Sequence, residues 1–225
     1  MNDQQGRPAT PETAALRPVR IMPLGLEGLL GVPPDPRGIV LFAHGSGSSR
    51  FSPRNNFVAE RLRDAGLATL LFDLLTEPEA DDRRNVFDIP LLAERLVAAT
   101  EWLSEQPALR ALPCGYFGAS TGAAAALVAA ATPPGRIRAV VSRGGRPDMA
   151  NGWLARVDCP TLLIVGGRDL EVLALNEEAL ARLTCEKELR IVPHATHLFE
   201  EPGTLEAVVE HAREWFLRHL GGGGG

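Results

Sequence analysis

Tyr116-Phe117-Gly118-Ala119-Ser120-Thr121-Gly122 places one hydroxyl between two glycines where one structural pattern gives way to another. The residues before Ser120 are typical of the end of a short buried strand, and residues 123–131, almost all alanine, leucine and valine, favour a helix. A turn from strand to helix through one residue strains that residue, and side chains at the flanking glycine positions would collide with neighbouring segments. Ser120 is therefore the candidate nucleophile.

Strands and helices alternate on both sides of this turn. Residues 19–32 are apolar but interrupted by Pro23 and by glycines, which favours a two-stranded antiparallel ribbon. Beyond it, buried strands are predicted at 38–43, 67–75, 112–117, 137–141, 161–165 and 189–192, and helices at 53–65, 86–106, 123–131, 171–183 and 204–220. This alternation predicts an α/β fold, with a parallel sheet, right-handed crossovers and helices on both faces.

Polar residues follow the predicted strands at their carboxyl ends. In α/β sheets this edge is where ligands bind, so we expect these side chains to meet there. The six positions are His44, Asp73, Ser120, Arg143, Asp169 and His197.

A serine hydroxyl needs a histidine to take its proton and a carboxylate to orient that histidine. Asp169 and then His197 follow Ser120 in the order expected for a nucleophile elbow on an α/β sheet. Asp169 has a second interpretation, as the N-cap of the helix that begins near residue 171. His194 competes with His197. We favour His197, because it adjoins the segment that leads into the final helix and can reach back over the sheet edge.

Two backbone amides are expected to hold the oxyanion of an acyl-transfer reaction. The amide of Thr121 begins the helix after Ser120, where the helix dipole adds to the field. The amide of Ser46, in the loop of small polar residues at 44–49, is the predicted partner. His44 is assigned a structural role, with its ring hydrogen-bonded to backbone beneath the site.

Four segments together resemble the α/β-hydrolase superfamily, and more closely its dienelactone-hydrolase-like branch. The resemblance extends from residue 19 to the last helix and implies an α/β-hydrolase fold with a mostly parallel eight-stranded sheet, whose first two strands are the ribbon at 19–32. It rests on LFAHGSG at 41–47, GASTG at 118–122, GRD at 167–169 and HATHLF at 194–199.

Two details refine this resemblance. Dienelactone hydrolases proper carry cysteine at the elbow, whereas this chain carries Ser120, which favours general ester chemistry over lactone specificity. The segment SRGGRPD at 142–148 also resembles hydrolase domains that are joined to a phosphoribosyltransferase, although the sequence contains no phosphoribosyl-binding segment.

No lid domain is predicted. Members of this superfamily insert one between Gly145 and the strand at 161, and here that segment is too short to build it. An open site suits small or surface-displayed acyl groups. Arg143, at the predicted mouth, has two interpretations: its planar fork could bind a substrate carboxylate, or it could be tied to Asp148 or a loop carbonyl.

Composition excludes several classes of protein. The 225 residues suit one domain at 19–220, with a flexible tail at 1–18 and a glycine tail at 221–225. A formal charge of −5 without a basic run argues against nucleic acid as a partner. No apolar stretch has the length of a signal peptide core or of a membrane span. Three cysteines lack zinc-site spacing, so free buried thiols and a cytoplasmic location are expected.

The sequence therefore predicts a serine hydrolase that cleaves carboxylic esters or lactones of small or short-chain acyl groups through an acyl-serine intermediate. No metal or organic cofactor is expected, and the partner is a small-molecule ester. Two alternatives stay open. The same acyl-enzyme could pass its acyl group to an alcohol, amine or peroxide, as in an acyltransferase or perhydrolase, or the fold could serve a non-catalytic binding protein.

Overall fold

The computed structural model describes residues 15–132 and 136–221. The predicted N-terminal tail at 1–18 lies outside the described residues as far as residue 14, and the predicted glycine tail does so from residue 222. The first strand begins at Arg17, slightly before the expected domain start at residue 19.

The described residues form one eight-stranded sheet. Strands β1 and β2 pair antiparallel, β2 and β4 also pair antiparallel, and every other neighbouring pair is parallel. The spatial order is β1-β2-β4-β3-β5-β6-β7-β8. This confirms the predicted ribbon and the mostly parallel sheet. The strands are β1 Arg17–Ile21, β2 Leu26–Gly31, β3 Ile39–Ala43, β4 Ala68–Phe72, β5 Cys114–Ala119, β6 Ile137–Arg143, β7 Thr161–Gly166 and β8 Lys187–Val192.

The α-helices agree with the sequence prediction except around the start of the helix expected at 86–106. That helix was expected from residue 86 but begins at Ile89, because the Asp88 side chain accepts a hydrogen bond from the Leu91 amide and caps it there. Two short helices precede it. The α-helices are α1 Pro53–Asp64, α2 Glu77–Ala80, α3 Arg83–Val86, α4 Ile89–Glu105, α5 Thr121–Ala130, α6 Leu170–Arg182 and α7 Thr204–Leu220.

The segment between β6 and β7 forms two short 3-10 helices within Pro147–Arg156, separated by a kink at Asn151 (φ +44°), that the sequence analysis did not predict. Its buried residues Pro147, Ala150 and Leu154 turn inward, and it packs against α5 and α6. The segment is therefore part of the body of the domain, and no lid domain covers the sheet edge within the described residues.

Alternate residues of the strands face two separate cores. In β3, Leu41 packs with the core under α4 and α5, whereas Phe42 packs with the core under α1 and α7. This period of two is what a parallel sheet covered on both faces requires. None of the helices among the described residues combines the length and the apolar character needed to cross a bilayer.

The His44 ring joins the ends of β3 and β4. Its Nδ1 donates to the Gly45 carbonyl at 3.0 Å, and its Nε2 accepts from the Leu74 amide at 3.1 Å. Because Nε2 is an acceptor here, the ring is neutral. Burial lowers the pKa of His44 below its ordinary value, although the Gly45 carbonyl and the charge of Asp73 act in the opposite direction. This confirms the structural role predicted for His44.

We predict that Phe216→Ala lowers the free energy of unfolding by about 3–5 kcal/mol, as expected when a core aromatic ring is removed. The Phe216 ring is fully buried between α7 and β5, where Gly115 leaves room for it. Urea unfolding followed by tryptophan fluorescence would measure the change. Phe87→Ala, the same substitution at an exposed ring, should stay within about 0.5 kcal/mol of the parent. Equal losses in both variants would contradict this account of the core.

We also predict that stability depends on pH through His44. Because its folded pKa lies below the ordinary value of 6.5, the unfolded chain binds this proton more readily, and stability falls as the pH drops from about 6.5 through the folded pKa. His44→Gln cannot titrate, so its free energy of unfolding should fall less between about pH 7 and about pH 5. Burial also lowers the pKa values of His211 and His219, but both residues are present in the parent and the variant, so their contributions cancel in the comparison. Parallel pH profiles would rule the effect out.

Candidate active site

Ser120 lies between β5 and α5 in a strained backbone conformation, with φ +51° and ψ −123°. The neighbouring glycines are required by contact. A Cβ at Gly118 would overlap the backbone of Ala123, and one at Gly122 would overlap the carbonyls of Ala43 and His44. The tight strand-to-helix turn that the sequence predicts is therefore present, with the collisions expected at both glycine positions.

The loop after β6 holds this turn from the side. The Ser120 amide donates to the Arg143 carbonyl at 3.3 Å, and the Arg146 amide donates to the Ser120 carbonyl at 3.1 Å. Gly144, between them, has φ +51°, and a Cβ there would lie 3.6 Å from His197 Nδ1. The elbow and the histidine loop therefore approach the same short segment from opposite sides.

His197 is paired with Asp169. His197 Nδ1 lies 2.7 Å from Asp169 Oδ2, and the His197 side chain is 40% exposed. Asp169 occupies the N-cap position of α6, but its side chain makes no capping hydrogen bond, so the carboxylate serves the histidine instead. A carboxylate on Nδ1 keeps the proton there and leaves Nε2 as the free basic nitrogen.

Backbone contacts fix the two loops that carry this pair. The Arg168 amide donates to the Ala195 carbonyl at 2.9 Å, and the Gly167 amide donates to the Val192 carbonyl at 2.9 Å. A Cβ at Gly166 would overlap the Ala195 carbonyl, so the crossing also depends on glycine. His194 lies in the same loop, exposed and with φ +65°, and Asp169 pairs with His197 rather than with it.

The hydrogen bonds of the described residues include none between Ser120 Oγ and His197. The structure thus brings His197 and Asp169 into direct contact, while Ser120, partly exposed at the end of β5, is linked to them through the segment at 143–146. Catalytic hydrogen bonds in unliganded enzymes are often long and shorten when substrate binds.

The two predicted oxyanion residues contact each other. The Ser46 amide donates to Thr121 Oγ1 at 2.9 Å. Sequence reasoning expected this amide to face the reacting carbonyl, but the threonine side chain already accepts from it. A buried backbone amide needs an acceptor, and Thr121 Oγ1 supplies it here.

The sequence analysis expected Arg143 at the mouth of the site, and this expectation is wrong. The surface of Arg143 is only 7% exposed, Nη2 donates to Asn55 Oδ1 at 3.2 Å, and the guanidinium lies 5.8 Å from the ring centre of Phe199. Burial, with a smaller effect from the like charge of Arg54, lowers the pKa of Arg143 to about 10. Asp148, the alternative partner, pairs with Arg146.

The period of the strand explains this position. Ala139 and Val141 of β6 face the core under α1 and α7, and Arg143, two residues further on, follows the same alternation. Its side chain is therefore directed beneath the sheet edge toward α1 instead of out of the site.

A cavity of about 590 Å³ opens beside the elbow. Arg50 spans its wall and pairs with both Glu27 and Asp73, and the Arg50 amide also donates to Asp73 Oδ1 at 2.6 Å. Sequence reasoning placed Asp73 at the ligand-binding edge but missed this network, because no local pattern links three residues so far apart along the chain. The lining consists of Gly25, Glu27, residues 44–51, residues 73–77, Ala80, Val86, Leu92 and Thr121.

The three cysteines are free thiols, as predicted, although Cys185 is only partly buried. Burial raises the pKa of Cys114 to about 11 and that of Cys159 to about 12. Cys114 begins β5, whereas Ser120 follows its other end, so no thiol stands at the elbow. Among the described residues, no group of three or more histidine, cysteine, aspartate or glutamate side chains is arranged to hold a metal ion.

Known proteins resemble this chain in sequence and in structure. Two Mycobacterium tuberculosis proteins, both named putative phosphoribosyl transferase, are 62% identical over 202 residues, which is 90% of this chain but 46% of theirs. The chain thus spans about half the length of the curated relatives that it matches. No family model matches the sequence.

Solved structures give a match over the whole domain. A dienelactone hydrolase from Anabaena variabilis is 57% identical, with a TM-score of 0.87 over 92% of this chain and 97% of that one. Est1E from Butyrivibrio proteoclasticus shares the fold, with 16% identity and a TM-score of 0.77 over 92% of this chain and 99% of its own. Because the 57% identity covers nearly all of the Anabaena variabilis protein, this chain belongs to the dienelactone hydrolase family of α/β hydrolases.

Proposed function

We propose that this protein is a serine hydrolase that cleaves small carboxylic esters or lactones through an acyl intermediate on Ser120. The observation that carries the proposal is the 2.7 Å contact between His197 Nδ1 and Asp169 Oδ2, in a domain that also holds Ser120 at φ +51° on the elbow. Membership of the dienelactone hydrolase family supports the reaction class. The phosphoribosyl transferase name does not carry over to this chain, because the match covers only 46% of those proteins.

The first half of the reaction forms the acyl-serine. Ser120 Oγ attacks the carbonyl carbon of the substrate while its proton passes to His197 Nε2, and the carbonyl π electrons move onto oxygen. When the tetrahedral intermediate collapses, those electrons return, the bond to the alcohol oxygen breaks, and His197 gives its proton to that oxygen. Asp169 stabilises the imidazolium that exists between these two transfers.

The second half releases the acid and restores the serine. Water attacks the acyl carbon and gives a proton to His197 Nε2, which returns it to Ser120 Oγ as the ester bond to the enzyme breaks. In both halves the carbonyl oxygen becomes negative. The Thr121 amide at the start of α5, with the helix dipole, is the proposed electrostatic partner of that oxygen, together with the Ser46 amide.

The cavity supports a small and uncharged substrate. Within the described residues, Arg50 is the only cationic side chain of its lining, and it is already paired with Glu27 and Asp73. Glu77 adds a third carboxylate, so the wall carries more negative than positive charge. A long alkyl chain would remove these charged groups from water without replacing their hydrogen bonds, whereas a short acyl group would not.

We predict that Ser120→Ala lowers turnover of short chromogenic esters by about 10³-fold or more, as expected when a triad nucleophile is removed. Initial rates on a panel from acetate to decanoate, with and without an added alcohol, would also separate hydrolysis from acyl transfer. Ser104→Ala is the matched control, because it removes a partly exposed hydroxyl on α4 that donates to the Glu101 carbonyl. A mutant as fast as the parent, or a parent that no organophosphonate labels, would end the proposal.

We further predict discrimination by charge. An ester whose acyl group ends in a carboxylate should have a kcat/KM about 5–10-fold below that of a neutral ester of the same length, because the cavity wall repels it. Glu77→Gln removes one exposed carboxylate, so it should reduce the difference in kcat/KM between the two esters. Added salt should reduce that difference as well. Equal or better use of the anionic ester by the parent would show that the wall charge does not select substrate.

A further inference from the structure

The hydroxyl of Thr121 occupies a position that ordinary helix chemistry does not explain. Thr121 follows Ser120 directly, is only 4% exposed, and lines the cavity together with Ser46. Its Oγ1 accepts a hydrogen bond from the Ser46 amide at 2.9 Å. The Thr121 side chain thus lies between the two backbone amides that are proposed to bind the oxyanion, and it can act on the same oxygen.

The donor side of this hydroxyl is unused. A threonine hydroxyl carries one hydrogen to donate, and the bond from Ser46 uses only its acceptor side. Among the hydrogen bonds of the described residues, none has Thr121 Oγ1 as donor. Two other threonines show the usual solution, a bond to a helix carbonyl four residues earlier. Thr100 Oγ1 in α4 donates to the Leu96 carbonyl, and Thr132 Oγ1, just beyond the end of α5, donates to the Val128 carbonyl, each at 2.9 Å.

Thr121 cannot adopt that solution, because it is the first residue of α5. Four residues before it lies Phe117 in β5, which pairs with neighbouring strands on both sides, so no preceding helical turn offers a carbonyl. The hydrogen of the Thr121 hydroxyl is therefore left for a group that enters the cavity.

We propose that the Thr121 hydroxyl is itself an oxyanion donor. The Ser46 amide then acts through it, because an amide that donates to a hydroxyl oxygen orients that hydroxyl and strengthens the bond that the hydroxyl gives. The negative oxygen of the tetrahedral intermediate would receive the Thr121 amide and the Thr121 hydroxyl, with Ser46 behind the hydroxyl. This inference rests on the acyl-serine reaction proposed for Ser120, and it replaces a direct contact of the Ser46 amide with the oxyanion.

Thr121→Val distinguishes a hydroxyl donor from a direct Ser46 amide donor, because the two arrangements predict different changes in kcat. Valine removes the hydroxyl at nearly constant shape and frees the Ser46 amide. If the hydroxyl is a donor, kcat for a short ester should fall by about 10²-fold with little change in KM, as for loss of one oxyanion donor, and Thr121→Ser should stay within about threefold of the parent. If the Ser46 amide binds the oxyanion directly, kcat of the valine variant should stay the same or rise.

A trifluoromethyl ketone that forms a tetrahedral adduct on Ser120 supplies a second readout. Its inhibition constant should weaken with kcat in Thr121→Val, because the adduct carries the oxyanion. Thr132→Val, the same substitution just beyond the C-terminal end of α5, is the matched control and should leave both unchanged. If the valine variant does not fold, Thr121→Ala tests the same loss, since alanine suits an alanine-rich helix.

The outcomes separate this inference from the proposed function. Full activity of Thr121→Val alongside an inactive Ser120→Ala would overturn the hydroxyl donor and leave the serine hydrolase standing. If Thr121→Val and Thr121→Ser lose kcat equally and both raise KM, Thr121 has a packing role, and this result would also overturn the hydroxyl donor. Activity of Ser120→Ala at the parental rate would remove both.

Discussion

Close backbone contact at the elbow is the constraint on which the site depends. Helix α5 starts so near the end of β3 that Gly122 touches the carbonyls of Ala43 and His44, and any larger residue there would separate them. This contact keeps the strand-to-helix turn tight enough to hold Ser120 at φ +51°. Such strain persists only where surrounding structure over-determines it, and here the sheet supplies that structure.

The other loops are positioned relative to this turn by backbone hydrogen bonds. The Arg143 carbonyl accepts from the Ser120 amide, the Gly144 amide donates to the Ile164 carbonyl in β7, and the Arg168 amide donates to the Ala195 carbonyl in the histidine loop. A continuous series of contacts thus runs from β5 to the loop after β8. The placement of His197 follows from rigid strands rather than from flexible side chains, which is the support that an oriented catalytic group needs.

Chemistry at this edge is then set by which polar groups are already paired. Arg50 is held by two carboxylates, Arg143 is buried against Asn55, and burial raises the pKa of the Cys114 and Cys159 thiols. These groups contribute to architecture. Among the hydrogen bonds of the described residues, none involves His197 Nε2 and none uses the hydrogen of the Thr121 hydroxyl. A site of this kind directs proton transfer and charge stabilisation to one reacting carbonyl.

Local periodicity and glycine spacing were enough to predict the alternation of strands and helices, the tight turn at Ser120 and the shared edge of the polar residues. The sequence left Asp169 with two interpretations, since a helix cap and a histidine partner look alike in one dimension. Only the tertiary structure assigned Asp169 to His197, turned Arg143 inward and joined Ser46 to Thr121. Those contacts link residues far apart along the chain, and their geometry exists only after the sheet has formed.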